Sequence, residues 1–185
     1  MARTWKGART FGDMCDLMAL WLEGRIRTRP AYLARRPEPE TTELITTLAA
    51  ANRAGFLTDD SQPGRIGLHG RQRPAVTGFV HDTAFLRRLV FEARSAGLTV
   101  VTAGTGTTTA PAPARVTVTE VKGEPFTWYG ARVGRDDLLY LWQGLSLPAA
   151  GVLCTAEQVA IIDPVFGPGQ RLWNVLDRVS GRRAA

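Results

Sequence analysis

The sequence predicts an α/β fold, a mixed β-sheet core flanked by about five helices. Three observations carry this. Apolar residues recur at helical spacing in several stretches, short β-branched or alternating runs lie between them, and glycines and prolines punctuate the joins. At 185 residues the chain is read as a single domain, 1–185, with enough length for a sizeable core. Residues 1–10 and 181–185 are expected to fray, and 103–114 to form a flexible loop.

Taken in order, Phe11, Met14, Cys15, Leu17, Met18, Trp21 and Leu22 mark an amphipathic helix that Gly24 ends. Its aromatic and methionine stripe is core. Arg27 to Pro39, with Pro30, Pro37 and Pro39, is an extended connector that delivers the chain to Glu40. Leu44, Ile45, Leu48, Ala49 and Ala51 define a second helix, with Thr41 or Thr42 as cap, Glu43 in the first turn and Gly55 at the end. Phe56-Leu57-Thr58 reads as a short strand. It runs into Asp59 to Gly64, a turn dense in side-chain acceptors.

Gly64 to Gly70 is expected to be a loop. Ala75 to Val80 reads as a strand, with Gly78 marking a close backbone approach. Asp82 or Thr83 caps a helix that turns Phe85, Leu86, Leu89, Val90 and Ala93 inward, and Gly97 ends it. Leu98 to Thr102 is a β-branched strand. The stretch after it, rich in Gly, Thr, Ala and Pro, contains Gly104-Thr105-Gly106, which lacks the lysine and helix of a phosphate cradle. Arg115 to Val121 alternates as a strand, and Phe126 to Gly130 continues as another. Asp136 to Trp142 is a short helix or turn closed by Gly144. Val159 to Val165 is a buried strand broken by Pro164, and Leu172, Trp173, Val175, Leu176 and Val179 define the last helix.

Composition narrows the function classes. A hydrophobic fraction of 44% and a charged fraction of 22% are ordinary for a globular protein. No apolar run reaches the roughly 20 residues of a membrane span, and the first residues lack the apolar core of a secretion signal. The expected location is the cytoplasm. Cys15 and Cys154 lie far apart and read as buried free thiols. With two histidines, His69 and His81, and no close cysteine pair, no metal site is expected. The net charge of +6 invites a nucleic-acid reading, but the arginines are spread along the chain. Arg25 to Arg29, Arg71 to Arg73 and Arg87-Arg88 read as solvated surface, and nucleic acid is set aside.

The densest chemistry lies between Glu40 and Pro63, where a carboxylate and several hydroxyls gather at a helix start and a strand end. Such edges of α/β proteins bind small molecules. Asn52-Arg53-Ala54-Gly55-Phe56-Leu57-Thr58, followed by Asp59-Asp60-Ser61-Gln62-Pro63, resembles the C-terminal regulatory domain of eukaryotic methylenetetrahydrofolate reductase. That family carries an Asn-Arg-x-Gly-x-Leu-Thr-x-Asn-Ser-Gln-Pro run, preceded by a Glu-Thr pair at the interval that separates Glu40-Thr41 from Thr58. Thr127-Trp128, Ile162-Asp163-Pro164-Val165 and Trp173 follow in the family's order, so the likeness runs from about Phe11 to Val179. Asp60 replaces the family's asparagine, which adds a negative charge, and Ala160 replaces a threonine. The resemblance implies a free-standing module that binds S-adenosylmethionine (SAM) or S-adenosylhomocysteine as a non-catalytic sensor, acting through a protein partner. It places Glu40, Thr41, Thr58, Ser61, Gln62 and Thr127 at the ligand. One competing expectation is an enzyme that consumes SAM or a related nucleoside, with Glu40, Asp60 and Asp163 as its acid and base groups. Another is an arginine-mediated nucleic-acid or protein interaction module.

Overall fold

The structure is a computed structural model that describes residues 4–30, 36–104 and 115–182. An antiparallel hairpin organises it. Strands β1 (Phe56–Ile66) and β2 (Gly70–Val80) pair along their whole length, from Phe56 opposite Val80 to Ile66 opposite Arg71. The other edge of β2 is shared. Strand β4 (Val116–Val121) takes residues Gly70 to Gln72, and β6 (Glu157–Ile162) takes Ala75 to Val80. Outside these lie β3 (Thr99–Gly104), paired with β6, and β5 (Glu124–Tyr129), paired with β4. All described pairings are antiparallel, so the sheet is antiparallel rather than mixed, within the α/β class expected.

Among the described residues six α-helices accompany the sheet: α1 (Phe11–Leu22), α2 (Ile45–Arg53), α3 (Thr83–Ser95), α4 (Arg135–Leu141), α5 (Leu147–Leu153) and α6 (Arg171–Val179). Local signals set their ends. Thr10 and Asp13 form a reciprocal capping box on α1 (3.1 and 3.0 Å), and Gly24, at φ 72°, turns the chain out of it. The Asp82 carboxylate accepts from the Phe85 amide at 2.6 Å to start α3. Helix α5 is the element the periodicity does not announce. Ser146 caps it through the Ala149 amide, and the Ser146 hydroxyl donates to the Ala8 carbonyl.

Among the described residues two apolar clusters cover the two faces of the sheet. The larger joins Met14, Met18, Leu48, Leu57, Val80, Leu89, Leu172 and Leu176 of the helices and hairpin. The smaller puts Val118 and Tyr129 of the β4–β5 hairpin against Ala75, Ala160 and Ile162. That hairpin therefore leaves β2 after Gln72 and folds over the second face. Its tight turn uses Lys122 and Gly123, both at positive φ.

Several expectations need correction. Residues 4–10 are not a frayed end: Trp5 is buried, donates its indole N–H to the Thr28 carbonyl at 2.7 Å, and meets Trp142 edge-on. At the other end Arg182 reaches Asp177 at 3.0 Å, and 183–185 lie outside the described residues. Of the expected flexible loop, Ala103 and Gly104 belong to β3, and 105–114 lie outside the described residues. The turn expected from Asp59 to Gly64 and the loop as far as Ile66 are strand, because β2 pairs with this stretch from Asp60 to Ile66. Neither Thr41 nor Thr42 caps α2. A 3-10 turn, Pro39–Leu44, comes first, started by a proline whose fixed φ suits a first helical position.

Candidate functional site

Asn52, at the end of α2, is fully buried and spends its amide on the neighbouring strand. Its Oδ1 accepts from the Thr58 amide at 3.0 Å, while its Nδ2 donates to the Thr58 hydroxyl at 2.7 Å and to the Leu48 carbonyl at 2.8 Å. Arg53 forms a two-pronged bond to Glu23 beyond the end of α1, at 2.6 and 2.9 Å. The Arg53 hydrogen bond holds the Glu23 carboxyl below its usual range. These two residues of the motif fasten α2 to β1 and α1.

The strand then breaks its register. Thr58 faces Gly78 and Asp60 faces Thr77, which leaves Asp59 as the extra residue of a β-bulge. Gly78 permits the close approach that the sequence suggested. A Cβ there would stand 2.3 Å from the Leu57 carbonyl oxygen and 2.8 Å from the Thr58 Cα. The bulge turns Asp59 toward Arg29, whose guanidinium lies 3.6 Å from its carboxylate. Arg29 belongs to the cluster read as solvated surface, yet its side chain is 8% exposed and rests 4.9 Å over the Trp21 ring. A cation in that position gains from the aromatic face as well as from the carboxylate.

A cleft of about 70 Å³ opens at the bulge, lined by Met18, Trp21, Leu22, Arg29, Pro37, Glu38, Glu40, Thr41, Leu48 and Thr58 to Ser61. Among its described lining groups four are carboxylates and one is a guanidinium. A second cavity of about 190 Å³ shares Asp59 as a wall and is otherwise lined by Thr77, Phe79, Val101, Trp128, Tyr129 and Gln158, among others. Burial pushes the Asp59 carboxyl above its usual range; Arg29 opposes this and Asp60 adds to it. The Tyr129 side chain is buried, and its hydroxyl lies beside Asp60 without a well-formed hydrogen bond. Burial, followed by the charge of Asp60, keeps that phenol protonated far into alkaline pH. Asp59 and Glu40 push the same way.

Of the six residues assigned to a ligand from sequence, Glu40, Thr41, Thr58 and Ser61 line the cleft together. The Thr58 oxygen accepts from Asn52, which leaves its own O–H to donate into the cleft. Glu40 has a loose ion pair, Arg65 at 3.9 Å. Gln62 and Thr127 do not line it. Gln62 is buried and accepts from the Thr119 hydroxyl at 2.9 Å. Thr127 sits opposite Thr119, with its hydroxyl buried and unpartnered. Two residues further along β5, on the same side of the strand, it is Tyr129 that reaches the acidic residues.

The acid and base set of the enzyme expectation is not one constellation. Asp163 is buried away from the cleft, where it accepts from the Val165 amide at 3.0 Å and faces Arg171 at 3.7 Å. Sequence reasoning missed Arg29, Asp59 and Tyr129. A bulge is invisible in a strand's composition, and Arg29 lies 30 residues before the aspartate it meets.

Among the described residues no group of three or more His, Cys, Asp or Glu side chains gathers to hold a metal, and no helix is long and apolar enough to cross a membrane. No curated protein matches the chain. Residues 1–180 match a family described as a domain of unknown function, DUF6919. Since the match spans nearly the whole sequence, the chain belongs to the DUF6919 family.

Proposed function

We propose that the protein binds S-adenosylmethionine or S-adenosylhomocysteine without turning it over, as a sensor that acts through a protein partner. One observation carries this reading: Glu40, Thr41, Thr58 and Ser61, which the resemblance to the reductase regulatory domain singles out, surround one cleft although 21 positions separate the first from the last. The chemistry suits the ligand. Hydroxyls at Thr41, Thr58 and Ser61 serve the ribose and the amino-acid carboxylate, and Glu40 serves the amine. Phe79, Trp128, Val101 and Val133 of the neighbouring cavity supply an apolar slot for the base. Each cavity alone is below the roughly 300 Å³ of common ligand sites. In this reading the ligand extends from the cleft into the neighbouring cavity past Asp59, which lines both.

Isothermal titration of the purified protein with each ligand, with chromatography of the ligand afterwards, tests the reading. Saturable heat with intact ligand, weakened at least about tenfold in Glu40→Ala or Thr41→Ala, supports it. An absence of heat with both ligands overturns it. Ligand breakdown moves the protein to the enzyme class, for which the raised Asp59 carboxyl beside a cavity is the supporting feature. The arginine-mediated alternative draws less support, since Arg53, Arg71, Arg178 and Arg182 are spent on Glu23, Glu120, Glu92 and Asp177.

A further inference from the structure

We infer that the site discriminates by charge, taking the sulfonium-bearing SAM in preference to the neutral thioether S-adenosylhomocysteine, with Asp60 and Glu40 reading the positive charge and Tyr129 the part common to both ligands. The inference rests on the proposed adenosyl-ligand site. Its first ground is the balance of charge. On a chain of net charge +6, the described lining of the cleft carries Glu38, Glu40, Asp59 and Asp60 with the one guanidinium of Arg29. Arg29 is committed to Asp59, the Trp21 ring and the Met18 sulfur, 3.6 Å from its guanidinium. It offers little to Asp60. Asp60 bonds locally, to the Ser61 amide at 2.7 Å, and Glu40 has its distant pair with Arg65. Among the described residues, Asp60 therefore has no ion pair and Glu40 only the loose one with Arg65 at 3.9 Å. SAM, with a sulfonium, an ammonium and a carboxylate, carries one net positive charge, and S-adenosylhomocysteine carries none. At protein-surface dielectrics, a single charge within a few ångströms of a carboxylate outweighs the loss of a neutral contact.

The second ground is the phenol that stands beside these acids. The Tyr129 hydroxyl is enclosed, with 7% of the residue exposed and no well-formed hydrogen bond, and the residue lines the cavity that shares Asp59 with the cleft. A buried phenol without a well-formed hydrogen bond carries a desolvation cost that a ligand oxygen or nitrogen relieves. A protonated phenol donates. Its fitting partner is an uncharged acceptor such as a ribose oxygen or a ring nitrogen, present in both ligands.

The test compares SAM and S-adenosylhomocysteine by titration calorimetry on the wild-type chain, on Asp60→Asn and on Tyr129→Phe, with thermal melts as the check of folding. The expected result is SAM tighter by at least about tenfold. In Asp60→Asn the preference shrinks through SAM alone, and S-adenosylhomocysteine binding stays level. In Tyr129→Phe both ligands weaken by a similar factor and the preference persists. Equal affinities in the wild type, or S-adenosylhomocysteine the tighter, overturn the charge inference and leave the adenosyl-ligand reading standing. A preference that survives both Asp60→Asn and Glu40→Gln overturns the assignment to these carboxylates. No binding of either ligand to a folded wild type sinks the site reading and this inference with it.

Discussion

Asn52 and Thr58 exchange two hydrogen bonds, 2.7 and 3.0 Å long, that lock the end of α2 to the start of β1. Asn52 is 0% exposed and Thr58 5%. Both residues are buried, so solvent does little to replace bonds lost here. The clamp also sets the position of the bulge one residue later, and with it the direction of Asp59.

Asn52→Ala strands the Thr58 amide in the interior. A loss of about 2 kcal/mol of stability is expected, read from the urea midpoint at unchanged slope. Thr58→Val keeps the amide bond and loses only the hydroxyl, so its cost is smaller. A neutral Asn52→Ala would show that the clamp contributes no net stability.

Gly78→Ala drives a methyl into the Leu57 carbonyl and the Thr58 backbone. The strands must separate at the bulge, at a cost of about 1–3 kcal/mol. Differential scanning calorimetry reads this as a lower melting temperature. Ligand affinity falls with it, because the cleft wall moves. An unchanged melt would mean that β1 shifts freely there.

The pair Glu23–Arg53 makes a pH prediction. Arg53 lowers the folded-state pKa of Glu23, so the pair stabilises the fold above the ordinary carboxylate range. That contribution is lost as pH falls through the lowered value. Both side chains are partly exposed, Arg53 at 40% and Glu23 at 29%, so the effect is under about 1 kcal/mol. Arg53→Met should flatten the acid limb of a stability–pH curve relative to wild type, and identical curves would refute the assignment.

Asp59 behaves in the opposite sense. Its folded pKa is raised, by burial first, so it takes up a proton at a higher pH than an ordinary aspartate. Binding of a cationic ligand should weaken on acidification earlier than the ordinary aspartate range suggests. In Arg29→Met, where the opposing charge is gone, the weakening starts at still higher pH. NMR titration of the Asp59 carboxyl checks this directly.

Cys15 is buried in α1, and burial, with Asp16 adding to it, pushes its thiol far above the ordinary range. It should resist a thiol reagent in the native protein, while half-buried Cys154 reacts first. Both should react once the chain is unfolded in denaturant.

The local sequence determined where most elements lie. Amphipathic spacing marked α1, α3 and α6, Gly24, Gly55 and Gly97 marked helix ends, and the β-branched runs marked β3, β4 and β6. These are short-range signals, in which neighbouring residues satisfy one another. The motif from Asn52 to Pro63 was legible as a unit too, and it brought Glu40, Thr41, Thr58 and Ser61 into view. What the tertiary structure decided was pairing across distance. Strand β1 runs on through an acceptor-rich stretch because β2 completes its ladder, so turn composition there yields to backbone hydrogen bonding. Gln62 turns to Thr119, and Tyr129 rather than Thr127 approaches the acids, because the β4–β5 hairpin folds over the second face of the sheet. Arg29 and Asp59 meet only through a bulge, whose one extra residue redirects a side chain without leaving a mark on composition.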